Sequence, residues 1–232
     1  MKKKLKKSTK KKISGSKVVK IGLITMAILI TSVGTFLGVS FYSQTGGFSK
    51  DRLLNKEASS VVSETGKDTY WVNGKDGARK NVSYDDIPQV MIDAVIAAED
   101  SRYFEHNGFD LPRIVKAFMG NLVAGGITGG GSTITQQVMK QSYYPNAEKE
   151  NLIQGVQRKF GEIMLSIQAS SEMTKEEILE LYLNKIYFGY GNKAVGIYAA
   201  SRYYFDKEVQ ELTLPEAALL AGALNSPNRF DP

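Results

Sequence analysis

"GGITGGGSTITQQVMK", Gly125 to Lys140, sets five glycines, four hydroxyl side chains, two amides and a lysine where a loop runs into a helix. Glycines let a backbone come close to a ligand, and the free N–H groups of a helix start attract anions. No Gly-Lys-Ser/Thr follows at the spacing of a nucleotide phosphate loop, so that reading is excluded. A plain surface loop could carry the same glycines. Gln136, Gln137 and Lys140, however, fall on adjacent helical positions, which suits a polar groove.

Upstream lies "VIAAEDSRYFEHNGFD", Val95 to Asp110, with two adjacent acids, aromatic rings and the chain's one histidine behind small apolar residues. A carboxylate pressed against such surface loses water, which disfavours its charged form. Glu99 is then either a tuned catalytic group or a solvated acid at a helix end. Downstream lies "QRKFGE", Gln157 to Glu162. If helical, it brings Glu162 within one turn of both Arg158 and Lys159. That pattern serves a surface salt-bridge cluster or a basic platform for phosphate with a carboxylate beside it.

The segments between these stretches read as helices. Pro88 suits a first turn, and the run to Ala98 is apolar nearly all round. Thr174 with Glu177 forms a capping pattern ahead of "ILELYLNKIYF", and Thr213 with Glu216 does the same for "AALLAGAL". Asn73-Gly74 and Asp76-Gly77 mark turns beside short β-prone pieces, which predicts a small hairpin. The body is thus expected to be mainly α, with little sheet.

Composition narrows the chemistry. The 232 residues include no cysteine and one histidine, which excludes disulfides, thiolate nucleophiles and Cys- or multi-His metal sites. Ten of the 30 basic residues crowd into residues 1–20, which hold no acid, so the remaining chain is net acidic. Such a tail is not the basic folded face that nucleic acid requires. It precedes Ile21–Tyr42, 22 residues without charge, about 33 Å as a helix against a bilayer core of about 30 Å. Lysines ahead and none close behind predict a cytoplasmic N-terminus and an extracytoplasmic body.

Taken in order, "EDxxYFxHxG", "GGGSTITQQ", "RKxxE" and "ILELYLNKIYFGYG" resemble the peptidoglycan glycosyltransferases of family 51. These comprise the monofunctional transglycosylases and the N-terminal halves of class A penicillin-binding proteins. The resemblance implies a lysozyme-like α-helical domain with a small jaw subdomain, preceded by one transmembrane helix. It divides the chain into a basic tail (1–20), an anchor (21–42), a stalk with a β-prone segment (43–83) and the glycosyltransferase domain (84–232). It makes Glu99 the general base and Glu162 the second catalytic glutamate. Gly131, Ser132, Thr133, Gln136, Gln137 and Lys140 match the donor-site motif, and Arg158 and Lys159 the pair that meets the pyrophosphate. Lys116 falls where the family usually has arginine, keeping the charge without the bidentate fork.

The implied reaction polymerises lipid II into β-1,4-linked glycan with release of undecaprenyl diphosphate at the bacterial cell membrane. A divalent cation, Mg²⁺ or Mn²⁺, is expected with the substrate diphosphate. No dedicated protein metal site and no organic cofactor are expected. The implied partners are lipid II, the growing lipid-linked glycan, the membrane and other cell-wall synthesis proteins, not nucleic acid. The alternatives are a lytic glycoside hydrolase on peptidoglycan and a non-catalytic, membrane-anchored wall-binding module. The stretch between Gln137 and Arg158 is several residues longer than the family pattern. The chain stops at "NRFDP", where family members continue, so it is expected to be C-terminally truncated.

Overall fold

The structure, a computed structural model, describes residues 15–54, 59–62, 69–73, 77–124, 130–145, 147, 150–189 and 194–224. Most of the lysine tail, the centre of the Asn73–Gly77 turn, the first glycines of the Gly125–Lys140 motif and "NRFDP" lie outside these residues. The chain forms two compact units, Met1–Gln44 and Thr45–Pro232.

The first unit is built on α1 (Gly15–Thr45), which contains Ile21–Tyr42 and extends past both of its ends. Among the described residues this is the one helix long and apolar enough to cross a membrane, over Val19–Thr45. The Thr25, Thr31, Ser32 and Thr35 hydroxyls donate to carbonyls one turn back. Their polarity is thereby hidden within the helix, as an apolar solvent demands.

The second unit opens with α2 (Lys50–Leu54) and an antiparallel sheet of β1 (Ser59–Val62), β2 (Thr69–Asn73) and β3 (Gly77–Lys80). The expected hairpin is its β2–β3 half, with Tyr70 opposite Lys80. A third strand pairs on the far edge, Ser59 opposite Val72. Helices follow: α3 (Gln89–Glu99), α4 (Leu111–Ala124), α5 (Ile134–Tyr143), α6 (Leu152–Glu172), α7 (Lys175–Lys185), α8 (Ile197–Phe205) and α9 (Leu214–Ala223). Pro88 is the residue just before α3 rather than part of its first turn. Only one face of α3 is buried, through Met91, Ile92 and Val95, and that face packs on α9. Its Ala97 and Ala98 stay exposed.

Helix α7 is the hub. Its Ile178, Leu179, Tyr182 and Leu183 are fully buried, each aliphatic side chain contributing about 1.5–3 kcal/mol. Its polar side chains hold the segment that leads into α3. Asn184 exchanges two 2.8 Å hydrogen bonds with the Val82 backbone, and the Tyr84 N–H donates to Glu180. Both anticipated caps form, Glu177 and Glu216 reaching back to the backbone N–H groups of Thr174 and Thr213. Helices α5 and α6 start on the same reciprocal plan, with Thr133/Gln136 and Asn151/Gln154.

Candidate active site

Glu99 is the last residue of α3, half-buried, on the wall of a cleft of about 600 Å³. Gln137 Nε2 donates to its Oε2 at 2.8 Å, while Gln137 Oε1 accepts from the Tyr182 hydroxyl at 3.5 Å. The carboxylate is thus oriented by an amide that is itself held from the core. Burial, and then the Glu99 charge, push the Tyr182 hydroxyl pKa up, so Tyr182 stays a proton donor. Among the described residues Glu99 Oε1 has no protein partner.

Asp100, the neighbouring acid, is buried completely and does structural work. Its Oδ2 accepts from the Ile134 N–H at 3.1 Å, and His106 Nε2 lies 3.0 Å away. One carboxylate oxygen therefore ties the end of α3 to the start of α5. The rings following Glu99 belong to this network rather than to the cleft wall. The Tyr103 hydroxyl donates to the Lys175 carbonyl, and the Lys175 ammonium donates to the carbonyls of Tyr103 and His106. Ligand atoms of Asp100, His106 and Asp110 lie within 4.8 Å of one another. Asp110 is already bound by the Arg102 guanidinium and the Arg113 N–H, and Asp100 by the contacts above. The Arg102 guanidinium already places a cation in this cluster.

The glycine motif divides by role. Ser132, Gln137 and Lys140 line the cleft with Glu99. Thr133 and Gln136 are fully buried. The Thr133 hydroxyl accepts the Gln136 N–H at 3.1 Å and donates to the Gly108 carbonyl at 2.8 Å, so the two build the start of α5. Gly131 sits close enough to α4 that a Cβ would meet Ile114 and Ala117 at 3.4 Å. Lys116 is exposed on α4 and does not line the cleft. The α4 cation that does is Arg113, bonded to the carbonyls of Glu99 and Gly130. Spacing gave no sign of it. Tyr144 closes the cleft beside Lys140, and burial with the nearby Glu162 charge pushes its hydroxyl up to about 12.

Glu162 is buried between the two cations of α6. Its Oε2 accepts from Lys159 at 2.9 Å, and its Oε1 from the Arg158 guanidinium. Lys159 also donates to Ser132 Oγ at 2.7 Å, which links this cluster to the glycine motif. Arg158 Nε donates to Glu150 at 2.6 Å. Burial works against the Arg158 charge, but the bonds to Glu150 and Glu162 outweigh it and raise its pKa. Arg158 and Lys159 line a second hollow, of about 420 Å³, that shares Ala147 with the cleft.

Among the described residues the cleft thus combines one carboxylate, Glu99, with hydroxyl and amide donors, and a cation pair lines the hollow at its edge. The sequence model of the transglycosylase family matches residues 65–232, taking in the β-prone segment as well as the helices. The chain belongs to that family, the one its motif series resembles. It is 43% identical over 154 residues to penicillin-binding protein 1A of Neisseria flavescens, covering 66% of this chain and 18% of that protein. With penicillin-binding protein 1A of Neisseria cinerea the identity is 45% over 147 residues, 63% of this chain and 17% of the relative. For the Vibrio cholerae serotype O1 protein of that name it is 46% over 148 residues, 64% and 17%. The chain spans under a fifth of the length of these curated relatives.

Proposed function

We propose that the protein is a peptidoglycan glycosyltransferase that polymerises lipid II, with Glu99 as its general base. The observation that carries this reading is the Glu99 carboxylate, held by Gln137 through one oxygen, with no partner for the other among the described residues, in a cleft that also presents Lys140. The acceptor sugar's 4-hydroxyl gives its proton to Glu99, and its oxygen attacks the anomeric carbon of the lipid-linked donor. The bond from that carbon to the diphosphate breaks, the electron pair leaves on the diphosphate, and the anomeric centre inverts. A positioned base of this kind contributes about 10²–10⁴ in rate.

Lys140, Arg158 and Lys159 stabilise the charge growing on the leaving diphosphate. Glu162 keeps the α6 pair in place. A divalent cation, Mg²⁺ or Mn²⁺, would ride on the substrate's own phosphate oxygens, where it would neutralise charge. Glu162 is already committed to Arg158 and Lys159, so it offers that ion no ready-made cage. Helix α1 would anchor the enzyme in the bacterial cell membrane with its lysine tail inside and the catalytic unit outside. Other cell-wall synthesis proteins would be its partners there.

The test is to incubate the purified chain in detergent with labelled lipid II and Mg²⁺. Growth of glycan polymer supports the reading. Shortening of added polymer would make the protein a hydrolase, and binding without turnover a wall-binding module. Lys140→Ala is the cleaner probe of the anion site, because Lys140 is exposed whereas Arg158 holds two carboxylates. Its kcat/KM for lipid II should fall about tenfold, the loss of a charge-assisted hydrogen bond to the diphosphate. Its stability should stay within about ±0.5 kcal/mol of wild type. A melting temperature that falls in step with activity would make Lys140 structural instead.

A further inference from the structure

The cation pair of α6 is electrically spent before any substrate arrives. Arg158 and Lys159 supply two positive charges, and Glu150 and Glu162 supply two negative ones in direct contact with them. Glu162 belongs to the same helix one turn on and is buried, so it is a fixed part of the site. Glu150 is different. It lies outside α6, ahead of the Asn151 cap, in the connection between α5 and α6. Among the described residues its carboxylate has no partner besides Arg158, at 2.6 Å.

The place it takes is the Nε side of a guanidinium, whose planar fork fits a carboxylate and a phosphate equally well. Glu150, Arg158 and Lys159 share the walls of the 420 Å³ hollow, so an anion entering there meets Glu150 on the cation it needs. We propose that Glu150 is a resident stand-in for substrate phosphate. Its carboxylate occupies Arg158 until a diphosphate displaces it, and so sets the affinity and salt dependence of the donor site. The inference rests on the reading that Arg158 and Lys159 meet the diphosphate. Displacement changes the local charge from zero to one net positive, which favours the anion. The exchange of one anion for another also means that a weak anion cannot enter.

The experiment is calorimetric titration of the full chain in detergent with inorganic pyrophosphate at low and moderate salt. Wild type is compared with Glu150→Gln, Glu150→Ser, Arg158→Ala and the Glu150→Gln/Arg158→Ala double variant. Removing the competing carboxylate should tighten pyrophosphate binding about tenfold, the scale of one charge-assisted hydrogen bond. The gain should be larger at low salt. It should vanish in the double variant, because the effect runs through Arg158. Glu150→Ser keeps the test alive should the glutamine variant melt early, and it should show the same gain. Unchanged or weaker binding in folded Glu150 variants, with Arg158→Ala still weakening it, would overturn the stand-in and leave the donor-site reading intact. Pyrophosphate affinity and lipid II KM both unmoved by Arg158→Ala would overturn that reading and the stand-in with it.

Discussion

Glu99→Gln is expected to lower kcat for lipid II polymerisation by at least about 10²-fold while leaving the fold intact. The glutamine is nearly the same shape, and its carbonyl oxygen can still accept from Gln137, which now bonds the carboxylate at 2.8 Å. What disappears is a site that takes a proton from a sugar hydroxyl. Substrate binding does not use that proton transfer, so KM should move far less than kcat. Asp100→Asn gives the contrasting signature. Its charge is buried among Ile134 N–H, His106 and Arg113, so the expected loss is in stability, on the order of 1–3 kcal/mol. Turnover of labelled lipid II and thermal melts of both variants decide the matter. Wild-type turnover in Glu99→Gln would end the mechanism as drawn.

Gly108→Ala should unfold the site from beneath. Gly108 has φ +77°, in the left-handed region, and an added Cβ would stand 2.2 Å from the Ser166 carbonyl oxygen of α6. The loop cannot back away freely, because the Gly108 carbonyl accepts the Thr133 hydroxyl at the start of α5. Backbone strain and the displaced helix together should cost about 3 kcal/mol or more. For a unit of this size that is a fall in Tm of roughly 6–12 °C. Circular dichroism melts check it. A Tm within a degree or two of wild type would mean that α6 and the loop separate at little cost.

What the sequence disclosed was mostly local. The Arg158–Glu162 and Lys159–Glu162 pairs follow from helical spacing alone, and the structure contains both. The caps of α7 and α9 were legible because Thr and Glu three residues apart satisfy each other within one turn. The same pattern at Thr133/Gln136 reads equally as a ligand edge, since amides and hydroxyls serve both purposes. The structure uses it as a cap, with both residues buried. Strand β1 was hidden in a polar stretch, its pairing set by β2 rather than by its own composition. Long-range contacts left no trace at all. Tyr182 reaches Gln137 across 45 residues, and Arg113 joins Glu99 to Gly130.

The reciprocal caps of α5, α6, α7 and α9 differ in one atom type, and that difference sorts these caps by their tolerance of acid. Glu177 and Glu216 close α7 and α9 as carboxylates. Lys50 and the Thr174 N–H hold the Glu177 pKa below its ordinary value. Lys207 and Thr213 bring Glu216 down to about 2. Their caps are intact above the ordinary carboxylate range and are given up as the medium acidifies through those lowered values. Gln136 and Gln154 close α5 and α6 as amides, which have no proton to gain. Acid therefore releases the caps of α7 and α9, while the Gln136 and Gln154 caps, on the helices that carry Gln137, Lys140, Arg158 and Lys159, do not respond to it. An amide cap also adds no negative charge of its own to the starts of α5 and α6, which suits the anionic substrate proposed for the cleft.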